Sequence, residues 1–414
     1  MKTLILSTSD IGGAGRAAYR LHQGLRGKGI ESQMLVQDKF GDDTTVIEPS
    51  NKVNKGIAKL KPTLDKIPLQ FYQQRDRTTY SVQWFPDKIA TQVAQFNPDI
   101  VNLHWINEGF VQIETLAKLN KPIVWTLHDM WAFTGGCHYN QECDRFTKSC
   151  GECPQLHSHK NWDLSRWIWQ RKAKAWQNLK FTIVTPSHWL AKETISSSLF
   201  QNQQVTVIPN GVDTQIYKPI DKKFARQILN LPEDKQLILF GAMNATSDVR
   251  KGFYLLQLAL KNLRQSSYVD QFELVVFGAS APVNEVDLSF KTHYLGRLND
   301  DISLSLVYSS SDVFVAPSLQ DNLPNTVMES LACGTPCIAF NIGGMPEMIE
   351  HQKNGYLAQP FDTEDLAKGI VWVVENRERY QKLAARAREK VQQEFTLDLQ
   401  AKRYLSLFNE ITKI

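Results

Sequence analysis

No run of apolar residues in this chain approaches the roughly twenty needed to span a bilayer. The opening Met1-Lys2-Thr3-Leu4-Ile5-Leu6-Ser7-Thr8-Ser9 is too short in its apolar part for a secretory leader, and no small-residue cleavage site follows. It reads instead as a buried first strand. An excess of charge of one sign is also missing: 47 basic residues stand against 43 acidic ones, a net charge of +4. That balance argues against nucleic acid as the main partner. Cysteine is scarce, with six residues, and without a secretion signal a disulfide framework is not expected. No sequence-level repeat relates one half to the other. These absences place the chain in the cytoplasm, with attachment to a membrane surface left open.

What is present is enough for two cores. The chain has 414 residues, and two domains of roughly 200 residues each are the natural expectation. Apolar runs alternate with helical patterns. Thr3–Ser7, Ser32–Val36, Ile100–Leu103, Ile123–Leu127, Phe181–Thr185 and Val205–Ile208 read as strands of a first half. A turn-rich joint follows at Pro209-Asn210-Gly211-Val212-Asp213. The pattern resumes with Leu237–Phe240, Glu273–Phe277, His293–Leu295, Val313–Ala316 and Pro336–Phe340. Strands alternating with helices predict parallel βαβ units, hence an α/β fold in two open halves. The expected domains are 1–208 and 209–389, with a C-terminal helix over 390–414 packing back on the first. Ligands of open parallel sheets bind beyond the C-terminal strand ends, so a substrate cleft is expected between the halves, lined by residues that follow strands.

Several such residues can do chemistry. After the strand Val313–Ala316, Pro324 suits the start of a helix ending at Gly334. The first amides there, of Asn325, Thr326 and Val327, make a ready anion site. Asp321 precedes this helix and Glu329 lies one turn in; a carboxylate accepts two hydroxyl hydrogen bonds, which suits sugar diols. A self-capping Glu329 and a solvated Asp321 are the plain alternatives. Arg250-Lys251 follows the strand Leu237–Phe240 and its loop, and paired cations suit a diphosphate that gains charge as it leaves. The turn Asp10-Ile11-Gly12-Gly13-Ala14-Gly15-Arg16 is glycine-rich but lacks the dinucleotide spacing; its expected role is to let backbone approach a ligand. His128 ends the segment Trp125-Thr126-Leu127-His128, a position for a sugar contact, a proton relay or a structural histidine.

Arg250-Lys251-Gly252, the stretch Asp321 to Glu329, and Ala332-Cys333-Gly334-Thr335-Pro336 followed by Gly343-Gly344 come in the order of the family 4 glycosyltransferases, which the chain resembles from end to end. Gly12-Gly13-Ala14, Leu127-His128-Asp129-Met130-Trp131 followed by clustered cysteines, and Asp321-Asn322-Leu323-Pro324-Asn325 resemble more narrowly the bacterial exopolysaccharide transferases of the colanic-acid type. The resemblance implies two Rossmann-like domains facing across a cleft, the GT-B architecture. It implies retaining transfer of a hexosyl group from a nucleotide-diphosphate sugar, UDP- or GDP-linked, to a glycan or lipid-linked acceptor, without a catalytic cofactor. Glu329 would bind the donor ribose and Asp321 would face the sugar. Arg250 and Lys251 would hold the diphosphate, with Asn325 and Thr326 beside it. Gly12, Gly13 and His128 would approach from the N-terminal domain. Two departures stand out: the family's usual first Glu is Asp321 here, and Gly241 is followed by Ala242 and Met243 where relatives often place Arg.

The cysteines Cys137, Cys143, Cys150 and Cys153 share one loop and include one C-x-x-C pair. They suit a tetrahedral structural zinc, with His138 as an alternative ligand and free thiols as the other reading. Cys333 and Cys337 flank a tight turn and are expected in the core. Two basic segments carry aromatic or apolar residues, Lys160–Trp176 and Asn54–Gln70. Either could lie on an anionic membrane, against the safer reading of core tryptophans beneath a solvated basic face. The rival functions are a nucleotide-sugar epimerase or hydrolase on the same fold, and a zinc-loop nucleic-acid-binding protein. Near-neutral charge and a single irregular cysteine loop argue against the second.

Overall fold

Runs such as Leu4-Ile5-Leu6 are apolar at every position because a parallel strand is covered on both faces. In the computed structural model, which describes residues 1–49, 52–264, 269–280 and 290–412, these runs build two all-parallel sheets. The first holds β1 (Lys2–Ser9), β2 (Glu31–Asp38), β3 (Val46–Ile47), β4 (Ile100–Leu103), β5 (Ile123–Thr126), β6 (Phe181–Thr185) and β7 (Gln204–Val207), in the order β3-β2-β1-β4-β5-β6-β7. The second holds β8 (Gln236–Gly241), β9 (Phe272–Phe277), β10 (Thr292–Tyr294), β11 (Val313–Ala316), β12 (Cys337–Phe340) and β13 (Gly355–Ala358), in the order β10-β9-β8-β11-β12-β13. The strands foreseen in the sequence are all there. Two more, β3 and β13, lie at sheet edges, where a short half-covered strand leaves little apolar signal.

Alternation along each strand divides the core into two layers per sheet. Leu4, Leu6, Leu103 and Trp125 join one cluster, and Ile5, Met34, Val124 and Val184 the other. In the second sheet Leu239, Phe314 and Ala339 face one way, and Phe240, Val315 and Phe340 the other. Cys333 and Cys337 are buried in this core, on either side of Gly334, whose φ is +75°.

The chain separates into two compact units, Met1–Pro209 with Gln400–Ile414, and Asn210–Leu399. The tail is two helices, Arg377–Glu394 and Leu397–Thr412; residues 413 and 414 lie outside the described residues. Tyr404, Leu407 and Phe408 of the second helix are in the first unit's core, with Ile5, Leu21 and Val124. Residues 390–399 stay with the second unit.

Each sheet has one place where successive strands turn to opposite sides. In the first it lies between β1 and β4, and in the second between β8 and β11. There the connecting loops diverge and leave a crevice beyond the carboxyl ends of the strands. The registers Leu6↔Leu103, Leu103↔Trp125 and Leu239↔Phe314 fix which loops meet at these points.

Candidate active site

At the first switch point the glycine turn and His128 leave the same sheet edge. The helix after β1 begins at Gly12, two residues earlier than its apolar pattern suggests, and runs Gly12–Gly27. Asp10 is turned away from a ligand role: its carboxylate accepts from the amides of Phe40 (2.9 Å) and Gly41 (2.8 Å) and ties the next loop down. Nothing lies within 4 Å of where a Cβ on Gly13 would stand.

His128 is held by a second histidine that the sequence reading missed. His104 Nδ1 lies 2.8 Å from His128 Nε2, and His104 Nε2 lies 3.0 Å from Asn102 Oδ1. The two rings stack with centroids 5.1 Å apart. The signal was available, since His104 follows β4 just as His128 follows β5. Burial, helped by the neighbouring His128, pushes the His104 ring well below the usual histidine range. Burial likewise lowers His128 to about 4, against the opposing pull of Asp129. Both rings are therefore neutral at physiological pH.

Asp129, beside them, accepts from Trp105 Nε1 (2.8 Å), His138 Nδ1 (2.7 Å) and the Trp131 amide (2.9 Å). His138 Nε2 is 2.9 Å from Ser81 Oγ. Both of its ring nitrogens are thus engaged within the protein. Cys137, Cys143, Cys150 and Cys153 line one pocket with Tyr80 and Arg145. None of the four is in a disulfide. Burial raises Cys137 well above the usual thiol range, Cys150 to about 12 and Cys153 to about 11. Among the described residues, no group of three or more His, Cys, Asp or Glu is arranged to hold a metal ion. Lys172 is buried next to this loop, donates to the carbonyls of Trp131 and Thr134, and sits 3.7 Å from the Trp131 ring centroid. Burial lowers it to about 7. The basic face expected on Lys160–Trp176 is therefore interrupted, with Lys172 and Trp176 inside.

The second switch point is charged. Asp321 Oδ2 is 2.6 Å from Lys251 Nζ and 3.2 Å from Arg250 Nη1. Burial opposes ionisation of Asp321, but the two cations outweigh it and hold its carboxyl down at about 2. Arg250 also donates to the Gln320 carbonyl (3.0 Å) and pairs with Asp248 at 3.3 Å. The Asp248 side chain accepts from the Arg250 amide and starts the turn Val249–Lys251 that carries both cations. Two glycines make the loop fit. A Cβ on Gly252 (φ +69°) would collide with the Pro317 carbonyl, and one on Gly343 (φ +53°) with the Asp321 carbonyl. The residues read as separate sugar and diphosphate contacts are thus one ion cluster.

Lys251 and Asp321 line a pocket with Gly241, Ala242, Pro324 and Thr326. The helix Asn325–Ala332 begins here, with Pro324 as its cap residue and no side-chain cap. Of the amides expected to face an anion, that of Val327 is already spent on the Pro324 carbonyl at 3.1 Å. Asn325 and Thr326 are only partly buried. Glu329 is 1% exposed and accepts from Tyr308 OH at 2.9 Å. Tyr308 is a further residue absent from the sequence reading. It lies on the helix Asp301–Ser310, and nothing in its apolar pattern marks it as a carboxylate's partner.

Comparisons with known proteins bear on the family and the fold. The profile of Glycosyltransferase Family 4 matches residues 11–216, and that of Glycosyl transferases group 1 matches residues 221–390. The sulfoquinovosyl transferase SQD2 of Arabidopsis thaliana is 27% identical over 78% of this chain, and the match takes in 58% of that protein's length. The putative colanic acid biosynthesis glycosyl transferase WcaC of Escherichia coli K12 is 24% identical over 83% of each chain. Sucrose-phosphate synthase of Thermosynechococcus elongatus superposes with a TM-score of 0.70 at 18% identity over 99% of both chains. Anabaena HepE, solved with UDP-glucose, superposes with a TM-score of 0.66 at 16% identity, over 99% of this chain and 100% of that one. Two parallel-sheet α/β units of this kind are the GT-B fold. With a family 4 half followed by a group 1 half, the chain belongs to the glycosyltransferases.

Proposed function

We propose that the protein transfers a hexosyl group, with retention at the anomeric carbon, from a UDP- or GDP-sugar to a hydroxyl of a glycan or lipid-linked acceptor. Exopolysaccharide or other envelope polysaccharide synthesis at the inner face of the cytoplasmic membrane is its setting. The observation that carries this reading is the cluster of Lys251, Arg250 and Asp321 at the second switch point. Arg250 and Lys251 meet at Asp321, with Asp248 on the other side of Arg250, and cations so gathered can turn to a pyrophosphate, an attraction that gains strength where water is excluded. As the C1–O bond to the diphosphate breaks, the electron pair leaves with the phosphate, next to Arg250 and Lys251. The acceptor oxygen bonds to C1 on the same face, and its proton passes to the departing phosphate oxygen. No protein nucleophile and no cofactor enter this scheme.

Glu329 takes the ribose hydroxyls, and Asn325 and Thr326 lie by the phosphates. Gly12, Gly13 and His128 are the first unit's contribution. The UDP-glucose bound by HepE supports a uridine donor, and the name of WcaC supports the polysaccharide setting. A thermal-shift screen against UDP-, GDP- and ADP-sugars tests the reading. One nucleotide class should raise the melting temperature, by an amount corresponding to about 2.7 kcal/mol at a hundredfold excess over Kd. Glu329→Ala should lose that rise. A wild-type protein that no nucleotide sugar stabilises, or a Glu329→Ala variant that keeps both the shift and turnover, overturns the proposal.

A further inference from the structure

The helix Lys52–Asp65 and the turn Ile67–Phe71 that follows it present an apolar row to solvent. Ile57, Leu60, Ile67 and Phe71 are exposed, Phe71 at 86% and Leu60 at 59%, and Leu64 is partly so. Within the helix, Ile57, Leu60 and Leu64 are three and four residues apart, as on one helical face, and Ile67 and Phe71 belong to the turn that follows. The other side is anchored to the first unit: Ala58, Asp65 and Leu69 are buried, and Asp65 accepts from the Val82 amide at 3.1 Å. Lys55, Lys59 and Lys66 are exposed beside the row. The only acid in residues 52–72 is the buried Asp65. Lys55 pairs with Glu48, and an apolar row with Lys59 and Lys66 beside it complements a surface with an acyl interior and an anionic face. We propose that this face docks the protein on an anionic lipid bilayer. Apolar side chains enter the headgroup boundary while the lysine amines stay at phosphate level. The inference does not depend on which donor the enzyme uses.

Co-sedimentation of the full chain with phosphatidylcholine vesicles, with and without phosphatidylglycerol, tests it. Binding is expected only with phosphatidylglycerol and should weaken as salt rises. Leu60→Ser with Phe71→Ser should lower vesicle affinity by about tenfold or more, while melting temperature and transfer to a soluble acceptor stay unchanged. Failure of the wild type to bind anionic vesicles, or equal binding by the double variant, overturns the proposal. So does a lipid-free dimer that the same substitutions abolish, because the row would then belong to a second copy.

A separate observation assigns a role to His104. The Val124 carbonyl can only accept, so Asn102 must turn Nδ2 toward it (3.0 Å), which leaves Oδ1 to accept from His104. His104 therefore carries its proton on Nε2 and offers Nδ1 as acceptor to His128 Nε2. We infer that His104 is a positioning residue that fixes His128 as its Nε2–H tautomer, with Nδ1 as the basic nitrogen. This deepens the proposed reading of His128.

Long-range nitrogen–proton NMR of the imidazoles at neutral pH should show both rings as Nε2–H tautomers. His104→Phe should erase that signature at His128 and lower kcat by about tenfold or more with donor KM unchanged. His104→Gln, which can still accept, should restore part of both. An Nδ1–H tautomer at His128 in the wild type overturns the assignment, as does a His104→Phe variant with an unchanged signature. If the tautomers are as stated but His128→Ala turns over normally, the fault lies with the function given to His128 and not with its positioning.

Discussion

The two switch points hold their functional groups by opposite means. At the first, between β1 and β4, neutral rings and amides satisfy one another in a chain running from Asn102 through His104 to His128. At the second, between β8 and β11, two full cations are packed against Asp321, and Asp248 pairs with one of them, Arg250. A hydrogen-bonded neutral network fixes direction, because each proton has one place to go. A buried ion cluster stores charge and is costly to break from one side. The first arrangement suits the orientation of a sugar, and the second suits the capture of a dianionic leaving group.

The comparison breaks most decisively at Lys251. Lys251→Ala takes away the nearer cation of Asp321 and leaves Arg250 Nη1 at 3.2 Å, with the neutral Ser318 hydroxyl and Asn322 amide. We expect kcat/KM to fall by about 100-fold or more and stability to drop by about 3 kcal/mol, read by steady-state kinetics and urea unfolding. The neutral side should give less. His128→Ala is expected to lower kcat by about 100-fold with a smaller loss of stability, because no charge is stranded.

Acid separates the two regions further. His128 and His22 are both lowered by burial from 6.5 to about 4. Unfolded imidazoles then take up protons before folded ones, so this stability is present above 6.5 and lost as pH falls toward 4. The Asp321 contribution is present above its usual value of 3.8 and is lost only as pH falls toward about 2. Urea midpoints measured across pH should show the histidine loss first. His22→Gln should flatten the slope between 6.5 and 4 and leave the region below it unchanged. The smallest effect is expected at the cysteine pocket. Cys150→Ala should lower stability by about 1 kcal/mol without altering the donor-induced melting shift.

Strand content was legible because a parallel strand covered on both faces is apolar throughout, as in Val313–Ala316. The edge strands were not, since Val46–Ile47 has only two residues to show. Lys251, Arg250 and Asp321 could each be named from spacing. Their mutual ion pairs could not, because residues 70 positions apart meet only through sheet order. His104 was open to the same argument as His128 and was passed over for want of a motif around it. Lys172 shows the opposite failure: a lysine among tryptophans looked solvated, and packing against Trp131 put it inside.

The hydrogen bond between Thr126 and Tyr404 joins groups 278 positions apart. The first unit therefore cannot close its core during synthesis until the ribosome has made the whole of the second. Until then the layer that holds Ile5, Leu21 and Val124 lacks Tyr404, Leu407 and Phe408. A stalled or nicked product lacking that last helix would expose apolar surface at once, which marks it for capture by chaperones before any sugar chemistry begins.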